Sequence, residues 1–516
     1  MADLFRDYEI GPAWDEMFSQ VGNVRPSYEG VGAALAPLTG DELSGRVDLL
    51  ARTFLDRGVT FGSGGDEQAF PLDLVPRIID AEEWQTITIG VAQRVRALEA
   101  FLADVYGDCR ACADGVIPRS LIGTSQHFHR AAAGFEPPNG VRIHIAGTDI
   151  IRDQHGTLRV LEDNVRTPSG VSYVLENRRA VIQAFPEAFG AHRVRPVSNY
   201  PGMLLAALRR AAPGGTNDPT VVVLTPGIYN SAYAEHSLLA RRMGVELVEG
   251  RDLVCADNRV RMRTTAGERR VDVIYRRVDD DFLDPMHFRG DSIVGCPGLL
   301  NAARAGNVTL ANAVGNGVAD DKLIYTYVPD LIRYYLSEEP VLSNVETFRL
   351  DDPNVLADVL GSLDELVLKP VDGSGGKGIV IGQNASRAEL DRLRASVLKD
   401  PRGWIAQPLV QLSTVPTLIG ERLRPRHVDL RPFAVNDGRD VWVLPGGLTR
   451  VGLPEGSFVV NSSQGGGSKD TWVLDGAPTP AAARSQAQQQ SQHPAPVPGP
   501  TQEPGPAAAQ AQQQQQ

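Results

Sequence analysis

The sequence contains little of what would mark a secreted, membrane-bound or nucleic-acid-binding protein. Only four of its 516 residues are cysteine, which is too few for a disulfide framework in a chain of this length. The formal net charge is -12, which argues against general binding to nucleic-acid backbones or anionic membranes. No stretch approaches the ~20 apolar residues of a membrane span, and the first residues lack the basic-then-apolar order of a signal peptide. We therefore expect a soluble, cytoplasmic protein with no nucleic-acid or membrane partner.

The few cysteines also give little indication of a metal site. Cys109 and Cys112 form a C-x-x-C, while Cys255 and Cys296 stand alone in the sequence. A C-x-x-C can belong to a redox pair or to half of a zinc site, but no second C-x-x-C or H-x-x-x-H follows it. We therefore expect reduced thiols without a metal.

The chain changes character twice along its length. Residues 1–110 alternate helical patterns with loops, as in residues 82–106, so we expect a mostly helical region packed on the core. From Val141 onward, β-rich runs alternate with helical patterns, which favours an α/β or α+β core over residues 111–474. Residues 475–516 contain 12 Gln and 8 Pro and almost no large apolar side chains. Such a tail cannot offset the entropy of ordering, so it is predicted to be disordered.

A glycine-rich loop after Lys369 imitates two nucleotide-binding motifs. Its spacing matches a dinucleotide fingerprint, but that motif opens a helix, whereas Ile-Val-Ile, a short β run, follows Gly378. Lys377 is followed by glycine, so the loop is not a Walker A motif either. The pattern predicts a β-hairpin lid whose backbone N–H groups, with Lys369, bind phosphate; the alternative is a tight hairpin with a surface lysine. The lid residues are Gly373, Ser374, Gly375, Gly376, Lys377 and Gly378.

A carboxylate and an amide lie close together at the end of the predicted strand over residues 158–164. Period-two alternation places Glu162 and Asn164 on one face and Asp163 on the other. Carboxylate and amide oxygens are hard ligands suited to Mg²⁺ that is also held by nucleotide phosphates. Asp149, on a neighbouring β run, is a further acidic candidate. The alternative is a polar strand end at the surface.

Other polar groups also follow strand-like runs. Residues 275–281 join basic and acidic groups, and Asp429 and Arg431 share one strand face. Residues 461–470 form a second glycine-rich polar loop. Each alone is typical of a surface, but together they form an excess of polar strand ends, where α/β proteins usually build ligand sites.

The stretch from about Asp15 to Leu474 resembles the circularly permuted ATP-grasp proteins of the bacterial type 2 group, which are distant relatives of eukaryotic glutathione synthetase and glutathionylspermidine synthase. Seven segments in one order carry the resemblance: LEDNVRTPSGVSYVLENR, TPGIYNSAYAEHSLLA, IYRRVDDDFLDP, GVADDKLIYTYVPD, LKPVDGSGGKGI, HVDLRPF and NSSQGGGSKDTWVL. The resemblance implies a fold that holds ATP between two α+β subdomains. It also implies an ATP- and Mg²⁺-dependent ligase that phosphorylates a substrate carboxylate, after which an amine attacks the acyl phosphate.

The resemblance also implies roles for individual residues. It implies Mg²⁺ ligands at Glu162, Asn164 and Asp149, with Asp372 where glutathione synthetase has a glutamate, and phosphate or adenine contacts from Lys322, Lys369, the glycine lid and Gln407 in the strand at 405–408. By motif position, Arg276 and Arg431 are the candidate catalytic arginines, ahead of Arg277. No nucleophilic His is required, so His236 and His427 are expected to be structural or to face substrate.

Two functions remain open at this point. The first is a carboxylate–amine ligase that acts on small molecules or peptides. The second is an ATP-binding, ligation-inactive subunit, because members of the family resembled here are commonly found beside alpha-E-type helical proteins. The complete set of lysines, metal ligands and lid glycines favours the active ligase. A dinucleotide-dependent oxidoreductase is disfavoured by the strand after Gly378.

Overall fold

The computed structural model describes residues 3–5, 8–20, 22–61, 68–214, 216–373, 378–457, 460 and 465–476. The predicted tail after residue 476, the lid residues 374–377 and residues 461–464 of the second glycine-rich loop lie outside the described residues. Within the described ranges, no helix has the length and apolar character needed to cross a membrane.

Helices occur along the whole described chain, several of them short. They are α1 (Glu29–Leu35), α2 (Gly40–Asp56), α3 (Ala81–Val105), α4 (Arg110–Ala113), α5 (Arg119–Thr124), α6 (Val171–Ala184), α7 (Pro186–Gly190), α8 (Tyr200–Arg210), α9 (Tyr233–Met243), α10 (Asp280–Leu283), α11 (Leu299–Arg304), α12 (Lys322–Tyr325), α13 (Val328–Leu336), α14 (Pro353–Gly361) and α15 (Arg387–Lys399).

Strands are distributed over several sheets. They are β1 (Phe18–Gln20), β2 (Asn23–Val24), β3 (Thr60–Phe61), β4 (Gln68–Ala69), β5 (Leu72–Ile79), β6 (Ile145–Arg152), β7 (Leu158–Asn164), β8 (Val221–Leu224), β9 (Glu246–Val248), β10 (Leu253–Ala256), β11 (Arg259–Thr264), β12 (Gly267–Arg270), β13 (Val273–Arg276), β14 (Thr309–Ala311), β15 (Ser343–Asn344), β16 (Phe348–Arg349), β17 (Leu366–Pro370), β18 (Val380–Ile381), β19 (Trp404–Pro408), β20 (Thr414–Ile419), β21 (Arg422–His427), β22 (Arg431–Asn436), β23 (Val441–Val451) and β24 (Gly467–Val473).

A seven-stranded mixed sheet, in the order β15-β7-β6-β22-β23-β24-β5, forms the centre of the fold. The inner neighbours are antiparallel, whereas the edge pairs β15/β7 and β24/β5 are parallel. Both β5 and the long helix α3 come from the first 110 residues, and α3 packs on β22 and β23. The N-terminal region therefore contributes a strand and a covering helix to the sheet that carries much of the candidate site.

Helix α3 follows the apolar spacing seen over residues 82–106. Its N-cap residue Asp80 accepts a hydrogen bond from the backbone N–H of Glu83 at 2.8 Å, which satisfies one of the free donors of the first turn. Trp84, Val91 and Leu98 are fully buried against the core. The helix predicted from periodicity is confirmed.

A second sheet, β14-β13-β8-β9, is entirely parallel. Strand β8 reads Val-Val-Val-Leu and is buried at every position, as is usual for a parallel strand covered on both faces. Helices α8 and α9 pack against it. This sheet positions the start of α9 beside the candidate site.

A small antiparallel sheet, β16-β19-β17-β18, has its own hydrophobic core beneath α14 and α15, which includes Leu368 and Leu393. Strand β17 pairs with β18 in the register Val367↔Ile381, so a strand and not a helix follows the glycine loop. The predicted hairpin is confirmed, as is the mixed α+β fold. Strand β18 is the edge strand of the small sheet.

The cysteine prediction needs a correction. Cys109 and Cys112 form a disulfide in the structure, rather than the reduced thiols expected from the sequence. Cys109 has a positive φ of 52° just before α4, and the two Cα atoms lie 5.4 Å apart, within the range that a disulfide spans. The sequence did not indicate this turn. Cys255 and Cys296, which stand alone in the sequence, have their sulfur atoms 3.4 Å apart.

Candidate active site

One cavity of about 1030 Å³ lies between the central sheet, the small antiparallel sheet and α6. Its volume is at the upper end of the range of about 300–1,000 Å³ that is usual for ligand sites. Strands β6, β7, β22 and β23 supply one wall, and β17, β18 and β19 supply the opposite wall. Apart from Arg276 and Gly378, every predicted site residue that the structure describes lines this cavity.

Glu162 and Asn164 face the cavity from β7, as the alternation predicted. Asp163 points the other way, where Arg94 Nη2 donates to its Oδ2 at 2.6 Å. Strand β6 pairs Asp149 with Glu162, so the two acidic residues are cross-strand neighbours. Asn164 Nδ2 lies 3.4 Å from Glu162 Oε1. The paired strands thus bring all three predicted β-strand metal ligands to one wall.

Asp149 is held between two arginines. Its carboxylate accepts hydrogen bonds from Arg431 Nε, from Arg431 Nη2 at 2.8 Å and from Arg450 Nη2 at 2.6 Å. Burial disfavours the charged carboxylate, but the two guanidinium groups outweigh it and hold the pKa of Asp149 well below its usual range. Asp149 therefore orients the arginines, because both of its oxygens already have cationic donors.

Arg450 continues the network from Asp149 to Asp429. Its Nε lies 3.0 Å from both carboxylate oxygens of Asp429, whose pKa is raised by burial. Arg431 Nη2 also lies 3.6 Å from Glu162 Oε1. We call the part of the cavity bounded by these residues and Lys369 the inner end. Its arginine and aspartate side chains are almost fully buried, so their positions are fixed by one another.

Two lysines reach the inner end, Lys369 from β17 on the opposite wall and Lys322 from the start of α12, which packs on β7. The pKa of Lys369 on β17 is lowered to about 8, chiefly by burial, with Glu162 opposing the shift and the Lys322 ammonium adding to it. Lys322 donates to the backbone carbonyl of Gly373, and its Nζ lies 4.0 Å from Glu162 Oε2. Lys369 thus reaches the cavity from the wall opposite β7, whereas Lys322 lies beside Glu162 and contacts the first residue of the lid.

The base of the lid is closely packed. Gly378 has a φ of +77°, and a Cβ at this position would approach Pro370 Cγ to 2.8 Å. Asp372 lines the cavity and accepts a hydrogen bond from Gln126 Nε2. The close approach and the positive φ explain why glycine is needed where the lid returns to β18.

Strand β19 forms the apolar part of the opposite wall. Gln407 pairs in register with Val367 of β17, and its Nε2 donates to Thr347 Oγ1 at 2.8 Å. Ile405 and Pro408 line the cavity on either side of it. A largely apolar strand with one amide side chain suits a flat, hydrogen-bonding ring.

Arg276 is not brought to the cavity, contrary to the expectation from the sequence. It is fully buried at the end of β13 and donates to the backbone carbonyls of Asn312, Val278 and Ala313 at 2.6–2.9 Å. Its Nη2 also lies 2.7 Å from Asp280. These contacts join the segment after β13 to the loop after β14, so the guanidinium has a structural role. Spacing alone places this arginine at a strand end but does not show which way the following loop folds.

The neighbouring arginine and the two histidines are also engaged by the fold. Arg277 donates to the backbone carbonyl of Pro168 at 2.8 Å. His236 is buried against Thr225, and burial lowers its pKa to about 2. Nδ1 of His427 lies 2.7 Å from the carbonyl oxygen of Leu412.

Sequence reasoning missed two groups that line the cavity, Arg450 and Asp320. Arg450 lies on β23, and its partners Asp149 and Asp429 are brought to it only by the fold. Asp320 lines the cavity, accepts from the backbone N–H of Val165 at 2.7 Å, and has its pKa raised to about 7 by burial. Arg166 Nε lies 3.8 Å from Asp320 Oδ2. Both Asp320 and Arg166 belong to segments that the sequence had singled out, but their proximity depends on the tertiary fold.

No preformed metal site of three or more His, Cys, Asp or Glu side chains occurs within the described ranges. The oxygen donors available at the inner end are the carboxylate of Glu162, which is 30% exposed, and the amide of Asn164. Such a donor set fits Mg²⁺, which usually keeps several waters and is bound through one or two carboxylates together with substrate phosphates.

Comparison with known proteins defines the class to which this fold and site belong. The model of the circularly permuted ATP-grasp type 2 family matches residues 76–452. The chain belongs to that family, which confirms the resemblance seen in its motifs. ATP-grasp proteins generally use ATP and Mg²⁺.

Relatives with high sequence identity cover most of the chain. An uncharacterized protein of Mycobacterium tuberculosis is 63% identical over 473 residues, covering 91% of this chain and 85% of that protein. An uncharacterized protein of Synechocystis is 50% identical over 479 residues, covering 92% and 99%. A Frankia casuarinae protein named "Putative glutamate--cysteine ligase 2-2" is 47% identical over 467 residues, which cover 89% of this chain but only 53% of that protein.

The fold is also similar to a solved structure. A glutathione synthetase-like effector from Globodera pallida, in its apo form, aligns with a TM-score of 0.55 and covers 84% of this chain and 97% of that chain. The sequence identity is 12%, so this likeness supports the fold alone.

Proposed function

We propose that the protein is an ATP- and Mg²⁺-dependent carboxylate–amine ligase that forms a peptide or amide bond through an acyl phosphate. The observation that carries the proposal is the arrangement of the inner end. Lys322 and Lys369 line one cavity together with Glu162 and Asn164, and the Arg431 guanidinium lies beside Glu162. Phosphoryl transfer needs positioning and charge neutralisation more than covalent help from the protein, and these groups provide both.

In this proposal, the nucleotide lies along the small antiparallel sheet. The adenine ring packs on β19 near Ile405 and Gln407, where backbone groups read its edge. The lid, Lys369 and Lys322 bind the phosphates, with each lysine ammonium as a point charge on the oxygens. Mg²⁺, when bound, neutralises phosphate charge; Glu162 and Asn164 would hold it, with Asp372 as a further oxygen donor. Asp149 could join them only if an arginine moved away.

Arg431 is the candidate catalytic residue of the inner end. Asp149 holds its guanidinium in place, and the contact with Glu162 shows that one edge faces the cavity. A preorganised guanidinium can bind the substrate carboxylate and the charge that develops as the phosphoryl group arrives. The amine then attacks the acyl carbon, phosphate leaves with the electron pair of the acyl–oxygen bond, and the amine loses a proton.

The proposal is tested with ATP, Mg²⁺, a panel of carboxylic acids, and hydroxylamine as a small nucleophile. An accepted acid should release ADP and yield a hydroxamate, because hydroxylamine traps acyl phosphates. Glu162→Gln should suppress Mg²⁺-dependent ADP release while leaving metal-free ATP binding nearly unchanged, since only the negative charge that Mg²⁺ prefers is lost. Glu268→Gln, on an exposed strand, is the matched control.

Two results would count against the proposal in different ways. Absence of ATP binding by the wild-type protein would contradict the whole nucleotide assignment. Tight ATP binding without hydroxamate from any acid would favour the ligation-inactive subunit, and co-purification with an alpha-E-type helical protein would then be the next measurement.

A further inference from the structure

Helix α6 connects the inner end of the cavity to a second polar region. Ser172, Glu176 and Arg179 are four and three residues apart, so they share one face of α6, and all three line the cavity. The helix starts next to the inner end, because the carbonyl of Ser169 accepts from Arg431 Nη1 at 3.3 Å. At a rise of 1.5 Å per residue, Arg179 lies about 10 Å further along the helix axis than Ser172.

An arginine cluster surrounds the cavity where α6 meets the end of α2 and the last turn of α9. Its centre is the carboxylate of Glu176, which is only 2% exposed. Arg57 Nη1, Arg242 Nη2 and Arg179 Nη1 lie 3.1, 3.3 and 3.7 Å from its oxygens. Arg241, which precedes Arg242 in the last turn of α9, also lines the cavity. We call these five residues the outer end.

The outer end has more positive charge than its carboxylates neutralise. Four arginines face two lining carboxylates, Glu176 and Asp56, which leaves a formal charge of +2. The next acidic residue, Glu235, is already engaged, because it accepts from the backbone N–H groups of Gly170 and Ser172 and pairs with Arg277. The arginine side chains paired with Glu176 remain 32–46% exposed, so their outer edges are open to a ligand.

We propose that the outer end binds the distal carboxylates of an acidic, peptide-like substrate whose near carboxylate is activated at the inner end. This inference rests on the ligase proposed above and names its substrate class. The distance of about 10 Å along α6 from Ser172 to Arg179 corresponds to roughly three residues of extended peptide at about 3.3–3.6 Å each. The substrate is therefore an acidic peptide or polycarboxylate of about three residues, and its far end meets arginines that donate bidentate hydrogen bonds.

Two features favour carboxylates over other anions. The cluster already binds a carboxylate, that of Glu176, through three arginines. The excess charge of two also matches the two carboxylates at the end of an acidic peptide, one from the side chain and one from the terminus.

The experiment measures binding of triglutamate by calorimetry, with Mg·ADP present to fill the nucleotide side of the cavity. The test variant is Arg179→Gln combined with Arg241→Gln; both arginines are exposed, so the fold should be retained. We expect triglutamate to bind the wild type, and triglutamine to bind at least tenfold more weakly. Loss of each charged contact should weaken triglutamate binding by roughly tenfold or more, with Mg·ADP affinity unchanged. Arg52→Gln, an exposed change on α2, is the control and should behave as wild type.

The outcomes separate this inference from the function on which it rests. Equal triglutamate affinity in wild type and the double variant, no triglutamate binding, or equal affinity for triglutamine would each overturn it, even if Mg·ADP binds normally. Arginine-dependent triglutamate binding by a wild type that fails to bind Mg·ADP would support the carboxylate site and count against the ligase. Competition by inorganic phosphate as strong as that by triglutamate would overturn the assignment to carboxylates.

Discussion

Both ends of the cavity combine arginine guanidinium groups with carboxylates, but the two ends differ in the balance of charge and in exposure. At the inner end, Asp149 and Asp429 neutralise Arg431 and Arg450 within a buried network whose side chains are 2–13% exposed. At the outer end, one buried glutamate is shared among arginines that are several-fold more exposed. A balanced, buried network fixes the position of a group, whereas an unbalanced, open one is available to a ligand. The difference indicates that the inner end is built for geometry and the outer end for recognition.

The largest difference between the two ends should appear when Asp149→Asn removes the central charge of the inner network. Two buried arginines would lose their shared partner, and breaking a buried pair costs about 3–5 kcal/mol. We expect a loss of that size in the free energy of unfolding, measured by urea denaturation. Asp330→Asn, which breaks an exposed pair with Arg333, should leave the stability nearly unchanged. Similar results for the two variants would remove the distinction between a buried scaffold and an open surface.

The next largest effect concerns ligand binding at the inner end. Lys369→Ala removes an ammonium from the wall that faces the phosphates, and one such charged contact contributes about 1.5–3 kcal/mol. We expect ATP affinity to fall roughly ten- to a hundredfold, measured by calorimetry. Lys399→Ala at the exposed end of α15 is the control. If both variants bind ATP like the wild type, the nucleotide does not lie against β17.

A smaller effect on ATP affinity is expected when the pH is raised. The pKa of Lys369 is lowered to about 8, so its ammonium is present at pH 7 and largely lost by pH 9. Nucleotide binding favours the charged form, so wild-type ATP affinity should be steady below pH 7 and decline by up to about tenfold at pH 9. The Lys369→Arg variant keeps its charge over this range, so its ATP affinity should not decline as the pH is raised. If the ATP affinity of this variant still declines with rising pH, a group other than Lys369 causes the decline.

The smallest effect is expected for stability at the outer end. Arg179→Gln removes one half-exposed partner of Glu176, and such pairs contribute about 0–1 kcal/mol. We expect unfolding by urea to change by no more than that, although ligand binding should weaken. A loss as large as that of Asp149→Asn would show that the arginine cluster is a structural network like the inner one.

The inner end was predicted from sequence where its geometry is local. Alternation along one strand was enough to place Glu162 and Asn164 on the cavity wall, and the residues after Gly378 were enough to identify a hairpin. The outer end was not predicted, because Arg57, Arg179 and Arg242 come from three helices whose meeting depends on packing. Arg276 shows the converse failure: its motif position suggested a catalytic role, but three backbone carbonyls from the segments after β13 and β14 take up its donors.

Helix α6 also has a consequence for how relatives of this chain can diverge. One turn advances 5.4 Å, about one and a half residues of extended peptide. Gln183 is exposed one turn beyond Arg179 on the same side of the helix. Moving the arginine from 179 to 183 would shift the outer charge by that one step without altering a residue of the inner end. Two substitutions on one helix face are thus enough to change the length of the ligand that is accepted, while the residues of the inner end are inherited unchanged.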